Sequence, residues 1–235
     1  MSNKNKEKIK ILINIFFCLF LFFSCSKKNE IKFEETPKLD LVYREAINEF
    51  EAGKWQESVD LFKTVELKYS FTEWAPRATL MIIYIYFESA SYVECLEYAN
   101  KFKKLYPADK NMQYVEYIIG SVFYEQISIP ARDNRYAFEA LKQFNKILNL
   151  YPNSKYAEDI KLKIDLINEQ LAGKEMYIAR YYMKKSNWIP AIKRLNSIID
   201  NYGRTIYVNE ALHRLVEIYY KLGNVNEAKK YAAIL

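Results

Sequence analysis

Four turns that follow a tyrosine recur at spacings of 37, 45 and 51 residues, and this repetition constrains the fold more than any other feature. In each copy an apolar residue, usually aromatic, stands fifteen positions before the last residue of the turn. A small residue stands three positions after that apolar residue. The apolar residue and the turn are Trp55 and Tyr69-Ser70, Tyr92 and Tyr106-Pro107, Ala137 and Tyr151-Pro152, and Trp188 and Tyr202-Gly203, and Val225 begins a fifth copy. Units of this length bury their apolar faces by stacking on one another, so the chain should form an array of structural repeats.

The composition indicates that these repeats are helical. The 235 residues include only 5 Gly and 6 Pro, too few for a many-stranded sandwich or barrel, and 51% of them are apolar, which excludes a disordered chain. The small residue of each copy would let two helices approach each other closely. These positions are Ser58, Cys95, Ala140, Ala191 and Ala228. We expect Trp55 and Trp188, which begin two of the copies, to be largely buried.

The pattern resembles the tetratricopeptide repeat, in which an aromatic residue, a small residue and a closing Pro stand at these offsets. The resemblance implies an all-α solenoid of five helix-turn-helix units. Gly53 and Gly223 should end the first helices of units one and five, and Gly120 should be a small contact position in the first helix of unit three. A chance pattern in an unrelated helical protein is the alternative, and five copies argue against it.

Two irregularities interrupt the array. The segment ISIPARDN at 127–134 breaks the helical periodicity and should be a loop within unit three. After Pro152, apolar residues at helical spacing run from residue 154 to 184, which predicts an extra long helix between units three and four. Whether this helix is continuous or bends at Gly173 stays open.

The N-terminus has the pattern of a targeting signal. Four lysines between residues 4 and 10 precede an uncharged run, Ile11 to Phe23, that is too short to span a bilayer stably but suits a secretory signal. Phe22-Phe23-Ser24-Cys25 resembles the lipobox of bacterial lipoproteins, except that Phe22 stands where Leu is usual. We therefore predict a signal peptide over 1–24, a lipidated Cys25 and a flexible tether over 25–38. The alternative is an uncleaved membrane anchor.

Charge and motifs exclude several classes of function. Removing residues 1–24 takes away four Lys and one Glu, so the net charge falls from +6 to +3, which is low for a nucleic-acid-binding protein. With three Cys and the single His213, the sequence offers no zinc cluster or disulfide framework. It also has no phosphate-binding loop, GxSxG or HExxH motif. We expect a protein that is not an enzyme and binds no cofactor or metal.

The order of these features resembles the BamD family, lipoproteins of the outer-membrane β-barrel assembly machinery. The resemblance rests on the lipobox, the five repeats, the long helix and several local stretches. These stretches are residues 111–120, the Arg132-Asp133 insertion, residues 151–156, Ala179, Tyr181 and Tyr182, and Trp188. It covers the chain from about residue 20 to the end. It implies localisation at the periplasmic face of the outer membrane, anchored by lipid.

The first helices of repeat units commonly line a binding surface for extended peptides or partner helices. Helical spacing predicts that this surface is largely aromatic in units one to three. Its predicted residues are Tyr43, Ile47, Phe50, Arg77, Leu80, Tyr84, Phe87, Tyr114, Tyr117, Ser121 and Tyr124. About half of the tyrosines should instead pack between helices. The family resemblance implies that the groove binds unfolded outer-membrane proteins through their C-terminal targeting strand.

The resemblance also implies two functional halves. Residues 39–152, units one to three, would bind peptide, and residues 153–235, the long helix with units four and five, would dock onto the periplasmic domains of BamA, the barrel component. Accessory lipoproteins are possible further partners, and Arg194 matches a family arginine implicated in this docking. Another envelope repeat lipoprotein, which scaffolds cell-wall or division complexes, is the alternative function. An envelope lytic enzyme would need a catalytic domain with a positioned carboxylate, for which this sequence leaves no room.

Overall fold

The computed structural model describes residues 37–127 and 133–235, and these form ten α-helices and no strands. The helices are α1 (Pro37–Glu51), α2 (Trp55–Lys68), α3 (Trp74–Glu88), α4 (Tyr92–Leu105), α5 (Met112–Glu125), α6 (Arg135–Leu150), α7 (Ala157–Lys184), α8 (Trp188–Asn201), α9 (Tyr207–Lys221) and α10 (Val225–Ala232). The predicted all-α fold is therefore confirmed. The predicted signal peptide, Cys25 and the tether up to residue 36 lie outside the described residues, as does Arg132. Helix α1 begins at Pro37, so it includes the last two residues of the predicted tether.

Successive helices form five pairs, α1/α2 to α9/α10, which we call units one to five. The small residue of each second helix lies against the first helix and is buried, as predicted. In unit one the Ser58 hydroxyl donates to the carbonyl oxygen of Ala46 at 2.6 Å, and in unit two the Cys95 Sγ lies 3.5 Å from the carbonyl oxygen of Ile83. Burial raises the pKa of Cys95 to about 12, so its thiol is inert.

The turns within units one, two, four and five each contain a residue with positive φ at the same repeat position. Gly53 and Gly223 have φ of 75°, which confirms their predicted role of ending the first helix. The corresponding residues of units two and four are Ala90 and Ser186, with φ of 55° and 51°. A side chain in this left-handed region is disfavoured, so packing of the two helices holds these turns in place.

The turns between units also repeat. In each of the four, the backbone N–H of the third residue after a tyrosine donates to the carbonyl oxygen of that tyrosine, at 3.0 to 3.1 Å. The donors are Thr72, Asp109, Ser154 and Thr205, and the acceptors are Tyr69, Tyr106, Tyr151 and Tyr202. The four junctions therefore have the same local backbone turn although the units differ in length.

Helix α7 is continuous through Gly173 over 28 residues. Its N-terminal half packs with α6 through Ile160, Ile167 and Leu171, and its C-terminal half packs with α8 and α9 through Ala172, Met176 and Ala179. The long helix was predicted as an addition between units three and four. In the structure its C-terminal half is itself the first helix of unit four.

Two glycines sit where neighbouring helices approach closely. A Cβ on Gly120 would lie 2.5 Å from the ring of buried Phe144, which confirms the predicted small contact position. A Cβ on Gly173 would lie 2.9 Å from the Tyr207 hydroxyl. The prediction that Trp55 is largely buried is wrong: its ring packs edge-on against Phe50 and remains 39% exposed.

The described residues between Leu41 and Leu235 form one compact unit. Within the two described ranges, no helix combines the length and apolarity needed to cross a membrane. The same residues contain no cluster of three or more His, Cys, Asp or Glu that could hold a metal ion.

Candidate functional site: an aromatic wall on the first helices

The first helices of neighbouring units contact one another: α3 contacts α5, and α7 contacts α9. Aromatic side chains make further contacts between α1 and α3 and between α5 and the start of α7. We call these rings the aromatic wall. Its members are Tyr43, Phe50, Trp74, Tyr84, Tyr114, Tyr117, Tyr124 and Tyr156. All of them are partly exposed, so they are held in place yet present apolar surface to solvent.

Two ring pairs join α1 to α3. The Tyr43 ring meets Trp74 edge-on, with centroids 5.0 Å apart, and Phe50 lies 5.6 Å from Tyr84. Tyr43 also contacts Phe62 of the core, with centroids 5.1 Å apart. Edge-on and tilted pairs at these distances are favourable because the positive edge of one ring meets the negative face of another.

Three tyrosines continue the wall onto α7. Tyr117 stacks on Tyr156, with centroids 4.5 Å apart and planes inclined by 13°, and Tyr114 lies 6.1 Å from the same ring. Burial, together with the neighbouring Tyr156 and Tyr84, raises the pKa of Tyr114. The wall is therefore uncharged at neutral pH at this point.

A hydrogen-bonded pair on α7 holds Tyr117. The Tyr117 hydroxyl donates to Asp159 Oδ2 at 2.8 Å, and Lys163 Nζ donates to both Asp159 oxygens at 2.7 Å. The Lys163 ammonium lies 5.8 Å from the Tyr117 ring centre and 5.5 Å from that of Tyr124. Burial and the Asp159 hydrogen bond raise the pKa of Tyr117, which keeps its hydroxyl protonated as a donor. We call Tyr117, Asp159 and Lys163 the α7 anchor.

Not every predicted groove residue belongs to this wall. Leu80 and Phe87 pack against the core of units two and three, where the Phe87 ring contacts Tyr92 of its own unit, and Ile47 is half-buried on α1. Ser121 is buried. Arg77 is exposed, pairs with Glu73 at 2.8 Å and lies 5.1 Å from the Trp74 ring centre.

Sequence reasoning missed four residues at this site, Trp74, Tyr156, Asp159 and Lys163. Trp74 and Tyr156 stand at or just before the start of a first helix, and an aromatic residue at that point of the repeat was the available signal. No sequence signal pairs Tyr117 with Asp159, because they are 42 residues apart.

The first helices of units four and five carry a network of charged and polar side chains in addition to tyrosines such as Tyr181 and Tyr220. Arg180 Nε donates to Glu210 at 3.0 Å, Arg214 lies 3.6 Å from Glu210 and donates to Glu217 at 2.9 Å, and His213 Nδ1 lies 3.5 Å from Glu217. The Arg180 guanidinium holds the pKa of Glu210 below its ordinary value. We call these five residues the ionic wall.

Arg194, the predicted docking residue, lies on α8 and donates from Nη1 to both Glu175 oxygens, at 3.0 and 3.1 Å. Its side chain is 42% exposed, whereas that of Glu175 is 15% exposed. The pair joins the two helices of unit four while one side of the guanidinium faces solvent.

Unit three contains a matching contact between its two helices. Buried Glu116 accepts from Lys103 at 2.9 Å, from Lys146 at 2.8 Å and from Gln143. Burial by itself would raise the pKa of Glu116, but the hydrogen bonds from Lys146, Lys103 and Gln143 hold it below its ordinary value. Gln143 and Arg194 each lie six residues after the apolar residue of their repeat copy, Ala137 and Trp188, and both reach a glutamate of the first helix.

A cavity of about 700 Å³ lies among the start of α6, the middle of α7 and the start of α9. Lys174, which donates to Asn134 Oδ1 at 2.7 Å, lines it together with Tyr177 and Tyr207. Ile127 and Asp133, on either side of the residues outside the description, also line it.

Comparison with known proteins identifies relatives along nearly the whole chain. The model of the YfiO family, described as an outer membrane lipoprotein, matches residues 36–235. A protein of Caulobacter vibrioides named outer membrane protein assembly factor BamD is 38% identical over 210 residues, which cover 89% of this chain and 68% of the relative. Proteins with the same name from Rickettsia prowazekii and Neisseria meningitidis are 39% and 30% identical, cover 83% and 79% of this chain, and are themselves covered to 77% and 73%.

Proposed function

Because this chain belongs to the YfiO/BamD family of outer-membrane lipoproteins, we propose that it is a non-enzymatic component of the machinery that assembles β-barrel proteins in the outer membrane. In this proposal it is anchored through a lipidated Cys25 at the periplasmic face of that membrane. Its aromatic wall binds unfolded outer-membrane proteins, and its second half docks onto the periplasmic domains of a BamA-type barrel protein. Other assembly lipoproteins are further candidate partners.

The aromatic wall is the observation that carries this proposal. Partly exposed rings that are fixed by their neighbours offer contact area with little loss of side-chain freedom on binding. Such a surface favours extended segments with aromatic side chains, since each aromatic pair contributes about 0.5–1.5 kcal/mol beyond the area it buries. A C-terminal strand that ends in an aromatic residue has this chemistry.

The ionic wall and Arg194 support a different partner for the second half. Charged groups that are partly exposed steer association with a surface of complementary charge, and their effect declines as salt increases. A folded periplasmic domain with acidic groups could meet the open side of the Arg194 guanidinium. Peptide and partner would then occupy different units.

The peptide part of the proposal is tested by Tyr84→Ala. Tyr84 lies on the wall against Phe50, and its loss should weaken binding of a peptide that copies an outer-membrane protein's C-terminal strand by about thirtyfold, the cost of about 2 kcal/mol at an interface centre. Titration calorimetry measures the affinity. The matched control is Tyr220→Ala, which removes a 70% exposed tyrosine from α9 and should leave peptide affinity unchanged.

Arg194→Glu should give the opposite selectivity, weakening capture of the BamA-type domains while the peptide still binds. Circular dichroism checks that each variant keeps its helices. Equal peptide affinity of Tyr84→Ala and the wild type would refute the aromatic wall as the binding surface. Failure of the wild type to capture the barrel protein would instead favour the alternative of a cell-wall or division scaffold.

A further inference from the structure

We infer that the peptide site does not end with unit three but continues onto the first turns of α7, where Asp159 and Lys163 are positioning residues for the aromatic wall. This inference rests on the proposed function and adds to it the origin of the preference for aromatic side chains. The sequence-based division at residue 152 separates two parts of what is then one site.

The contacts of Tyr156 and Tyr117 support this continuation. Tyr156 immediately precedes α7, yet its ring stacks on Tyr117 of α5 and lies near Tyr114. Two nearly parallel rings at 4.5 Å form a platform that neither helix provides alone. A peptide aromatic side chain that stacks on the outer face of either ring lies on one ring that is supported by the other, and so depends on both α5 and α7.

Asp159 and Lys163 fix the orientation of this platform. The Tyr117 ring can turn about its side-chain bonds, but its hydroxyl is tied to Asp159, and Asp159 is held in turn by Lys163 one helical turn later. Lys163 is only 18% exposed and lies near two rings of the wall, so its charge also favours their present positions.

Charge balance argues against a direct role for the α7 anchor in binding an anion. Asp159 neutralises Lys163, and both Lys163–Asp159 distances are 2.7 Å, so a carboxylate of the ligand would have to displace an existing partner. The anchor therefore acts through Tyr117. Its loss should reduce discrimination between aromatic and small side chains and should leave the remaining peptide contacts intact.

The test compares two peptides on the full chain in detergent micelles. One copies a C-terminal strand ending in Phe, and the other has Ala in place of that Phe. The wild type should prefer the Phe peptide by about tenfold, the equivalent of about 1.4 kcal/mol. Lys163→Met should reduce this preference to about twofold while the affinity for the Ala peptide stays the same. Fluorescence anisotropy of labelled peptides measures both affinities.

Three further variants make the outcome specific. Lys161→Met, the same change on the exposed face of α7 two residues earlier, should behave as the wild type. Lys163→Arg should keep the preference because it restores the ion pair. If Lys163→Met does not fold, Asp159→Asn tests the same link at a half-exposed side chain.

The variants distinguish a positioning role of the α7 anchor from a merely structural one. An unchanged preference in Lys163→Met and Asp159→Asn would overturn the inference, and so would an equal loss of affinity for both peptides, which indicates a merely structural role. Failure of the wild type to bind either peptide would refute the proposed function itself and remove the basis of the inference.

Discussion

The two halves of the molecule use the same repeat positions for different chemistry. Twelve residues before the second helix, Tyr43 and Leu80 of units one and two correspond to buried Met176 and exposed His213 of units four and five, so only unit five differs in chemistry there. Eight residues before it, Ile47 and Tyr84 correspond to Arg180 and Glu217. At this second position one backbone arrangement thus presents apolar side chains in the first half and charged side chains in the second.

This difference shows that the repeat determines the positions of the side chains but not their chemical type. Contacts between rings depend on apolar area and dispersion, which salt affects little. Ion pairs at partly exposed positions are screened over about 8 Å at physiological ionic strength. Binding to the first half should therefore tolerate salt, whereas binding to the second half should weaken as salt increases.

The largest expected difference between the halves comes from their equivalent glutamates. Glu116→Gln removes a buried carboxylate with three donors and should lower the free energy of unfolding by about 1–3 kcal/mol at pH 7. Glu175→Gln should cost about 1 kcal/mol, because the half-exposed Arg194 can turn to water. Urea unfolding followed by circular dichroism measures both.

The pH dependence sharpens this comparison. Since the folded pKa of Glu116 is lowered, its stabilising contribution is complete above the unfolded pKa of about 4.3 and is lost as the pH falls through the folded pKa. The gap between the wild type and Glu116→Gln should therefore close on going from pH 6 toward pH 3. A constant gap would show that the carboxylate charge is not the cause.

Replacing one glycine in each half should give the next largest difference in stability between the halves. Gly120→Ala places a Cβ 2.5 Å from the buried Phe144 ring and should destabilise the protein by about 1–2 kcal/mol, after the gain in helix propensity is counted. Gly173→Ala meets only the far end of Tyr207, which can move, so its net effect should be near zero. Thermal unfolding of both variants, measured side by side, is the check. Equal losses of stability in the two variants would contradict the difference that we infer between the two contacts.

The smallest effect should be the same in both halves. Ala90→Gly and Ser186→Gly relieve a positive φ in equivalent turns of units two and four and should each stabilise the fold by about 0.5 kcal/mol. Ala52→Gly, next to Gly53, is the control and should destabilise, because Gly adds freedom to the unfolded chain. Chemical unfolding midpoints resolve the difference, and destabilisation by both test variants would show that these turns are unstrained.

The sequence was sufficient to predict the repeats, because small contact residues and turn tyrosines are local and periodic. Cys95 and Ala140 are buried as their offsets require, and Gly53 ends α1 as its position indicates. The exposure of Trp55 was missed, because the offset identifies a contact with the first helix but not how much of the ring that contact covers.

The missed parts of the site depend on distant pairs. Tyr117 is hydrogen-bonded to Asp159, 42 residues away in the sequence, and Arg194 is hydrogen-bonded to Glu175, 19 residues away. Both pairs place a polar group opposite a partner on another helix, and hydropathy patterns do not record such partners. The positive φ of Ala90 is not indicated by its residue type, although its repeat position, two residues before the second helix like that of Gly53, is a local signal.

The unbroken course of α7 limits how this protein can change in length. Each residue of an α-helix turns the chain by about 100° and advances it by about 1.5 Å. A single deletion near Gly173 would therefore turn units four and five by more than a quarter of a circle relative to units one to three. Insertions in α7 should be tolerated only near whole numbers of turns, such as seven or eleven residues, while turns between helices accept other lengths.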